Sequence, residues 1–162
     1  MQATNLRQAI GEEILPYFRE DERLMLLVCD MGFGVLDDLR SNFPHRVINC
    51  GIMEQGTVGI AAGMAMSGLR PVIYSIVSFL VFRALEQIRN DVVCQGLDVK
   101  FIGTGANECF RKLGCSHYCD QDDRKIYDII GLPVYDPYTS DKSFQELVKQ
   151  WILPGTPAYI RV

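Results

Sequence analysis

Residues 24–29 are Leu-Met-Leu-Leu-Val-Cys, an uninterrupted apolar run with the length of one β-strand. A strand that is apolar at every position is typical of a parallel sheet covered by helices on both faces. Further strands are predicted at 45–49, 71–76, 99–103, 133–135 and 157–162. Helices are predicted at 4–18, 35–43, 54–67, 79–95, 122–130 and 140–153. This alternation predicts an α/β fold with three layers, built on a doubly wound, mostly parallel six-stranded sheet.

The composition is that of a globular protein: 162 residues, 48% hydrophobic and 22% charged, which predicts one domain over residues 1–162. The net charge of −4 gives no electrostatic signature of binding to nucleic acid or to an anionic membrane. The apolar stretch at 72–82 is shorter than the roughly 20 residues that a membrane helix needs. No export signal is recognisable, so we expect a cytoplasmic protein.

The segment 105–120 is predicted to be irregular, and it contains Cys109, Cys115, His117 and Cys119. Thiolates and imidazoles are zinc ligands, but the paired Cys-x-x-Cys spacing of structural zinc sites is missing. A zinc site is therefore the less favoured interpretation. A histidine in a loop that follows a strand also suits catalysis, which makes His117 a candidate.

Glu54 follows a strand and a short turn, and it lies in the first turn of the next predicted helix. A carboxylate at that position complements the helix dipole, so a capping role and a functional role both remain open. The same helix contains Gly59-x-x-x-Gly63, a spacing that indicates close packing against a neighbouring backbone. We expect that packing mainly between the helix and the sheet.

Two aromatic residues, Phe79 and Phe82, lie at the start of the helix predicted at 79–95. At about 100° per residue, one stripe of this helix forms the core face and contains Val81, Leu85, Ile88 and Val92. Phe79 and Phe82 fall on the other side, together with Arg83. They predict either a platform for a ligand or an interface, with a second packed layer as the alternative.

Two blocks of sequence together resemble the pyrimidine-binding domain of the transketolase family, which uses thiamine diphosphate. The first is Arg46-Val-Ile-Asn-Cys-Gly-Ile-Met-Glu-Gln-Gly56, followed by an Ala- and Gly-rich helix and by Gly68-Leu-Arg-Pro71. The second is Ser78-Phe-Leu-Val-Phe-Arg-Ala-Leu-Glu-Gln-Ile-Arg-Asn-Asp91. The resemblance extends from Arg7 to the last strand and implies a thiamine diphosphate-binding fold of the pyrimidine-domain type.

The resemblance assigns roles to single residues. Glu54 matches the catalytic glutamate, which binds a ring nitrogen of the cofactor's pyrimidine. Phe79 and Phe82 match the aromatic residues that pack on that ring. Asp30 and Met31 match a pair near the thiazolium ring.

The substrate side of the site matches the family less well. His117 matches a catalytic histidine that contacts the substrate, and Arg7 matches a residue that binds sugar phosphates. Leu113, Gly105 and Asp136 stand where the family has an acidic residue, a second histidine and a phosphate-binding arginine. The resemblance therefore supports thiamine diphosphate binding better than ordinary pentose-phosphate transfer.

The implied activity is that of a transketolase-like transferase, which makes or breaks a carbon–carbon bond beside a carbonyl group of a ketose or a 2-oxo acid. A 2-oxo acid decarboxylase subunit and a non-catalytic scaffold are the alternatives. The sequence has no Gly-Asp-Gly…Asn segment of the kind that holds Mg²⁺ and the diphosphate, and no C-terminal transketolase domain. We therefore expect a separate diphosphate-binding partner subunit that holds Mg²⁺, an α2β2 assembly, and contact between two copies of this chain near the Glu54 helix.

Overall fold

The computed structural model describes residues 5–162, and a sheet of six parallel strands lies at its centre in the order β2-β1-β3-β4-β6-β5. The strands are β1 Leu24–Val28, β2 Val47–Asn49, β3 Arg70–Ile76, β4 Lys100–Thr104, β5 Val134–Tyr135 and β6 Ala158–Arg161. The six-stranded parallel sheet predicted from the apolar runs is confirmed. None of the helices described between residues 5 and 162 is long and apolar enough to cross a lipid bilayer.

Seven helices are described on the two faces of the sheet. They are α1 Leu6–Glu20, α2 Asp37–Asn42, α3 Glu54–Met66, α4 Val77–Arg83, α5 Leu85–Gln87, α6 Asp122–Ile130 and α7 Phe144–Trp151. A π-helical turn at Ile88–Val93 follows α5, and a 3₁₀ turn at Arg111–Leu113 interrupts the irregular segment. The predicted helix start at Thr4 lies outside the described residues. Helix α7 begins later than predicted because Ser143 caps it in a capping box with Glu146.

Two hydrophobic cores form because neighbouring residues of each central strand point to opposite faces of the sheet. Leu26, Val72 and Ile102 pack against α1, α2 and α7 on one face. On the other face, Leu27, Ile73, Phe101 and Tyr159 pack against α3, α4 and α6. Burial on both faces explains why β1 carries no polar residue, and it confirms the three-layer architecture.

The long helix predicted at 79–95 is wrong as one continuous element. Strand β3 runs directly into α4 at Val77, and the helix breaks at Ala84, where φ is −119° and ψ is 11°. Val81, Ile88 and Val92 are buried as the stripe predicted, but Leu85, just beyond the break, is only half-buried. A stripe calculated for a straight helix does not continue through such a break.

The packing predicted for Gly59 and Gly63 against the sheet is also wrong. Both glycines face outward, and a Cβ atom added at either would meet nothing within 4 Å. Helix α3 instead packs inward through Thr57, Val58 and Ala61, which are buried. The glycines therefore belong to an open face of α3.

Candidate active site

Glu54 is the first residue of α3, and its side chain is fully buried, with 0% exposed. The Ser75 hydroxyl, near the end of β3, donates a hydrogen bond of 2.7 Å to Oε1 of Glu54. Arg83, the last residue of α4, donates from Nη1 to Oε2 over 2.5 Å. A buried carboxylate is stable only when it is paired and hydrogen-bonded, and both conditions are met here. Glu54 is thus bound by side chains of two other elements rather than exposed as a simple cap.

The position of Glu54 follows from the sheet topology. From β1 the chain passes outward to β2, and it then crosses back to place β3 on the other side of β1. Ligands of doubly wound sheets bind at such a change of direction, beyond the carboxyl ends of the strands. The turn after β2 and the end of β3 bring Glu54 and Ser75 together at this point, although they are 21 residues apart in sequence.

Phe79 and His117 lie next to the Glu54 ion pair. The Arg83 guanidinium carbon lies 4.2 Å from the centre of the Phe79 ring, which is a cation–π contact. The His117 ring meets the same phenyl ring edge to face, with centroids 5.0 Å apart. Phe82 is 60% exposed and lines a cavity of about 480 Å³ together with Arg83 and Gln55. The structure therefore groups Glu54, Phe79 and His117, and it places Phe82 beside them.

The loop that carries His117 is held at its tip and at its neck. At the tip, the Ser78 hydroxyl donates to the Ser116 carbonyl over 2.8 Å, and Ser116 Oγ lies 3.0 Å from Nδ1 of His117. At the neck, Asn107 and Asp120 form an isolated antiparallel bridge, and both residues have positive φ angles. Nδ1 of His117 is thus in contact with Ser116, and no hydrogen bond to Nε2 is found among residues 5–162.

Asp30 and Met31 follow β1 and are tied to the Glu54 turn through Asn49. The Asn49 amide nitrogen donates to Oδ1 of Asp30 over 3.1 Å. Its oxygen accepts from the backbone amides of Asp30 and Gly51, each at 3.0 Å. Met31 is half-buried beside this turn. One amide side chain thus couples the two turns that lead to Asp30 and to Glu54.

Arg7 does not join this group. It lies on α1, against the opposite face of the sheet from α3 and α4, and its Nε donates to the Thr104 hydroxyl over 3.0 Å. Its guanidinium also lies 4.8 Å from the centre of the Phe110 ring. The structure thus places Arg7 at the end of β4, next to the neck of the His117 loop.

The zinc interpretation is contradicted within residues 5–162, where no group of three or more His, Cys, Asp or Glu side chains could hold a metal ion. Cys109 and Cys115 are exposed, whereas Cys119 is buried. Burial raises the pKa of the Cys119 thiol to about 11, which opposes formation of the thiolate that zinc requires. The spacing along the loop does not bring these side chains to one point.

Ser75 and Arg83 both bind Glu54, and the sequence predicted a role at this site for neither of them. A serine inside the otherwise apolar strand β3 is one signal, because a buried hydroxyl needs a hydrogen-bond partner. An arginine next to two aromatic residues on the polar side of a helix is the other. Neither signal identifies Glu54 as the partner.

Residues 2–162 match the family model described as the transketolase pyrimidine-binding domain. The chain belongs to this family. The resemblance inferred from the Glu54 and Phe79 blocks is confirmed.

Two relatives of this chain are named as subunits of transketolases. The chain is 29% identical over 157 residues to one subunit of the apulose-4-phosphate transketolase of Phocaeicola vulgatus, covering 96% of this chain and 50% of that protein. It is 28% identical over 158 residues to the 6-deoxy-6-sulfo-D-fructose transketolase subunit SqwH of a Clostridium species, covering 97% of this chain and 49% of that protein. The chain thus spans about half the length of these curated relatives.

Solved structures agree with this assignment. A split-gene transketolase, described as an inactive β4 tetramer, superposes with a TM-score of 0.79 at 28% identity, over 96% of this chain and 50% of that one. Transketolase from Leishmania mexicana superposes with a TM-score of 0.81 at 18% identity, over 96% of this chain and 24% of that one. The second comparison shows the shared fold.

Proposed function

We propose that this chain is the pyrimidine-binding subunit of a two-component, thiamine diphosphate-dependent, transketolase-like enzyme, with residues 1–162 as its single pyrimidine-binding domain. The enzyme would transfer a ketol or acyl group by making or breaking a carbon–carbon bond beside a carbonyl. The observation that carries this proposal is the buried, doubly hydrogen-bonded carboxylate of Glu54 beside Phe79 at the change of direction of the sheet. The family implies the use of thiamine diphosphate.

The residues present fit the pyrimidine ring of that cofactor. A carboxylate oxygen has two acceptor positions, so each oxygen of Glu54 retains one after bonding to Ser75 or Arg83. Glu54 would use one of them to hold the proton of a ring nitrogen. Phe79 and the exposed ring of Phe82 would cover the flat faces of the pyrimidine and exclude water.

When bound, thiamine diphosphate supplies a carbon nucleophile that adds to carbonyl groups. His117 would exchange a proton with the substrate through Nε2, because its other ring nitrogen contacts Ser116. Asp30 and Met31 would lie toward the thiazolium ring, since Asn49 ties their turn to the turn that leads to Glu54. A partner subunit would hold Mg²⁺ and the diphosphate, since relatives of this chain are named as subunits of transketolases.

The assembly that we propose is α2β2 and cytoplasmic, with two copies of this chain meeting along α3. The outward face of α3 supports such contact. It combines Gly59 and Gly63, which leave the backbone open to close approach, with Ile60 at 45% and Met66 at 69% exposure. Apolar side chains around small residues on an open helix face are typical of an interface.

The substrate that we propose is a ketose or a 2-oxo acid. The named relatives are transketolases for apulose 4-phosphate and for 6-deoxy-6-sulfo-D-fructose. Asp136, at the position of a phosphate-binding arginine in the family, is already paired with Arg124 at 3.1 Å and with Arg161 at 3.2 Å. An acidic group in this place favours a substrate whose recognition differs from that of ordinary pentose phosphates.

The test is reconstitution of the chain with a partner subunit that carries Gly-Asp-Gly…Asn, together with thiamine diphosphate and Mg²⁺. We expect turnover of a ketose or a 2-oxo acid, and we expect Glu54→Gln to reduce it by about 100-fold or more, the usual effect of losing a group that handles a proton. Glu12→Gln, an exposed position on α1, is the control and should retain full turnover. Full activity of Glu54→Gln would contradict the proposal. Calorimetry that detects no thiamine diphosphate binding to the wild-type complex would favour a scaffold.

A further inference from the structure

We propose that Arg83 is a positioning residue: it pairs with the buried carboxylate of Glu54 and orients it as a hydrogen-bond acceptor. The ion pair between Arg83 and Glu54 is observed in this chain without any partner or cofactor. Its catalytic consequence rests on the proposed function, because it concerns how Glu54 meets the pyrimidine ring.

Ser75 and Arg83 surround the buried carboxylate of Glu54. Its side chain has no exposed surface, so as an ion it depends on protein groups in place of water. Ser75 supplies a neutral hydroxyl to one oxygen, and Arg83 supplies the positive charge to the other. An ionised carboxylate only accepts hydrogen bonds, whereas a protonated one also donates. With Arg83 in place, Glu54 would accept a hydrogen bond from a protonated ring nitrogen.

Arg83 contacts both Glu54 and Phe79. It is the last residue of α4, and the helix breaks at the next residue, Ala84. The guanidinium packs over the Phe79 ring at 4.2 Å while Nη1 reaches Glu54, so one planar group spans the carboxylate and the aromatic ring. The side chain remains 40% exposed, so the charge on the guanidinium remains partly solvated. These contacts give Arg83 one defined orientation between two of the residues proposed to bind the cofactor.

Cys29 and His117 are titratable groups near the Glu54–Arg83 ion pair. The Cys29 thiol at the end of β1 stays uncharged near neutral pH, because burial, with a smaller effect of the Glu54 charge, raises its pKa to about 11. His117 packs edge to face against the Phe79 ring, which in turn contacts Arg83. Arg83 is the group whose positive charge makes direct contact with the Glu54 carboxylate.

The ion pair can be tested in the chain by itself, without any cofactor. We expect Arg83→Gln to lower the urea midpoint of unfolding, because it leaves a buried carboxylate without its counter-charge. Adding Glu54→Gln to that variant should restore part of the loss, because the buried charge is then removed as well. If Arg83→Gln is as stable as the wild type, or if the two losses simply add, the proposal is overturned.

The catalytic consequence is tested in the reconstituted complex. We expect Arg83→Gln to lower kcat/KM by about 10- to 100-fold, the scale of a charged hydrogen bond, and to move the acid limb of its pH profile to higher pH. Arg83→Lys should restore part of both effects, and Arg19→Gln, at an exposed position on α1, should change neither. If Glu54→Gln abolishes turnover while Arg83→Gln keeps the wild-type rate and pH profile, only this inference fails. If Glu54→Gln retains turnover, the proposed function fails first.

Discussion

Replacing Arg161 with leucine tests whether the neck of the His117 loop depends on one buried charge. Arg161 lies on β6 with no exposed side-chain surface. Its Nε is 3.0 Å from Oδ2 of Asp123, close enough for a charge pair although not aligned for a hydrogen bond. It also pairs with Asp136 at 3.2 Å and donates to Oδ1 of Asn107 and to the carbonyl of Asp120, the two ends of the loop.

The magnitude follows from what the substitution leaves behind. Asp123 is fully buried, and one of its oxygens has no partner even when Arg161 is present. Removing one member of a buried ion pair costs about 3–5 kcal/mol, because the remaining charge is uncompensated. For a chain of this size, each kcal/mol lowers Tm by about 2–4 °C. Arg161→Leu should therefore lower Tm by about 6–20 °C.

Thermal unfolding followed by circular dichroism measures this loss. Arg111→Leu is a matched control, because it also removes an arginine from an ion pair. Arg111 lies in the His117 loop and pairs with Glu108, and both side chains are more than 60% exposed. An exposed pair contributes about 0–1 kcal/mol, so this variant should unfold close to the wild-type temperature. If the two substitutions lowered Tm equally, the special role of the buried Arg161 charge would be contradicted.

The pH dependence gives a second check. Burial raises the pKa of Asp123 above its ordinary value of 3.8, an effect that Arg161 opposes. A carboxyl with a raised pKa in the folded state binds a proton more readily when folded, so its unfavourable contribution disappears as pH falls. Without Arg161, the pKa of Asp123 in the folded state rises further, because the opposing positive charge is gone. The difference in Tm between Arg161→Leu and the wild type should therefore narrow between pH 7 and pH 4, and a constant difference would contradict the assignment.

Two further predictions concern other parts of the chain. Hydrogen bonds from Arg23 and Arg70 hold the pKa of Asp21 well below its ordinary range, and the stability they give is present above the unfolded value near 3.8 and is lost as pH falls. Asp21→Asn should therefore lower the free energy of unfolding in urea by about 1 kcal/mol at pH 7 and progressively less below about pH 4, and an unchanged difference at low pH would contradict this. Ser78→Ala removes the hydrogen bond to the Ser116 carbonyl. It should increase amide hydrogen exchange at residues 115–118 while costing about 1 kcal/mol of stability, and unchanged exchange there would show that the loop tip does not depend on this bond.

The strands were predictable because a strand that is buried on both faces is apolar at consecutive positions in the sequence. Each of the six runs expected from the sequence overlaps an observed strand, and Gly131 ends α6 with a φ of 76°, as a glycine after a helix predicts. The helix break at Ala84 was not predictable, because a periodic stripe describes which residues are apolar and not whether the backbone between them stays straight. The outward direction of Gly59 and Gly63 was missed for a related reason, since the spacing of small residues does not say which neighbour approaches them.

The parallel sheet, the family, and the candidate residues Glu54, Phe79 and His117 can all be inferred from the amino-acid sequence alone. Apolar runs and short motifs are local, so they can be read without knowing what they contact. Only the tertiary structure paired Glu54 with Arg83, 29 residues away, and joined Arg161 to both ends of the His117 loop. It alone placed Arg7 on the far side of the sheet. A buried charge is compensated by whichever group the fold brings within hydrogen-bond distance, and that distance depends on the crossovers of the chain rather than on any spacing along it.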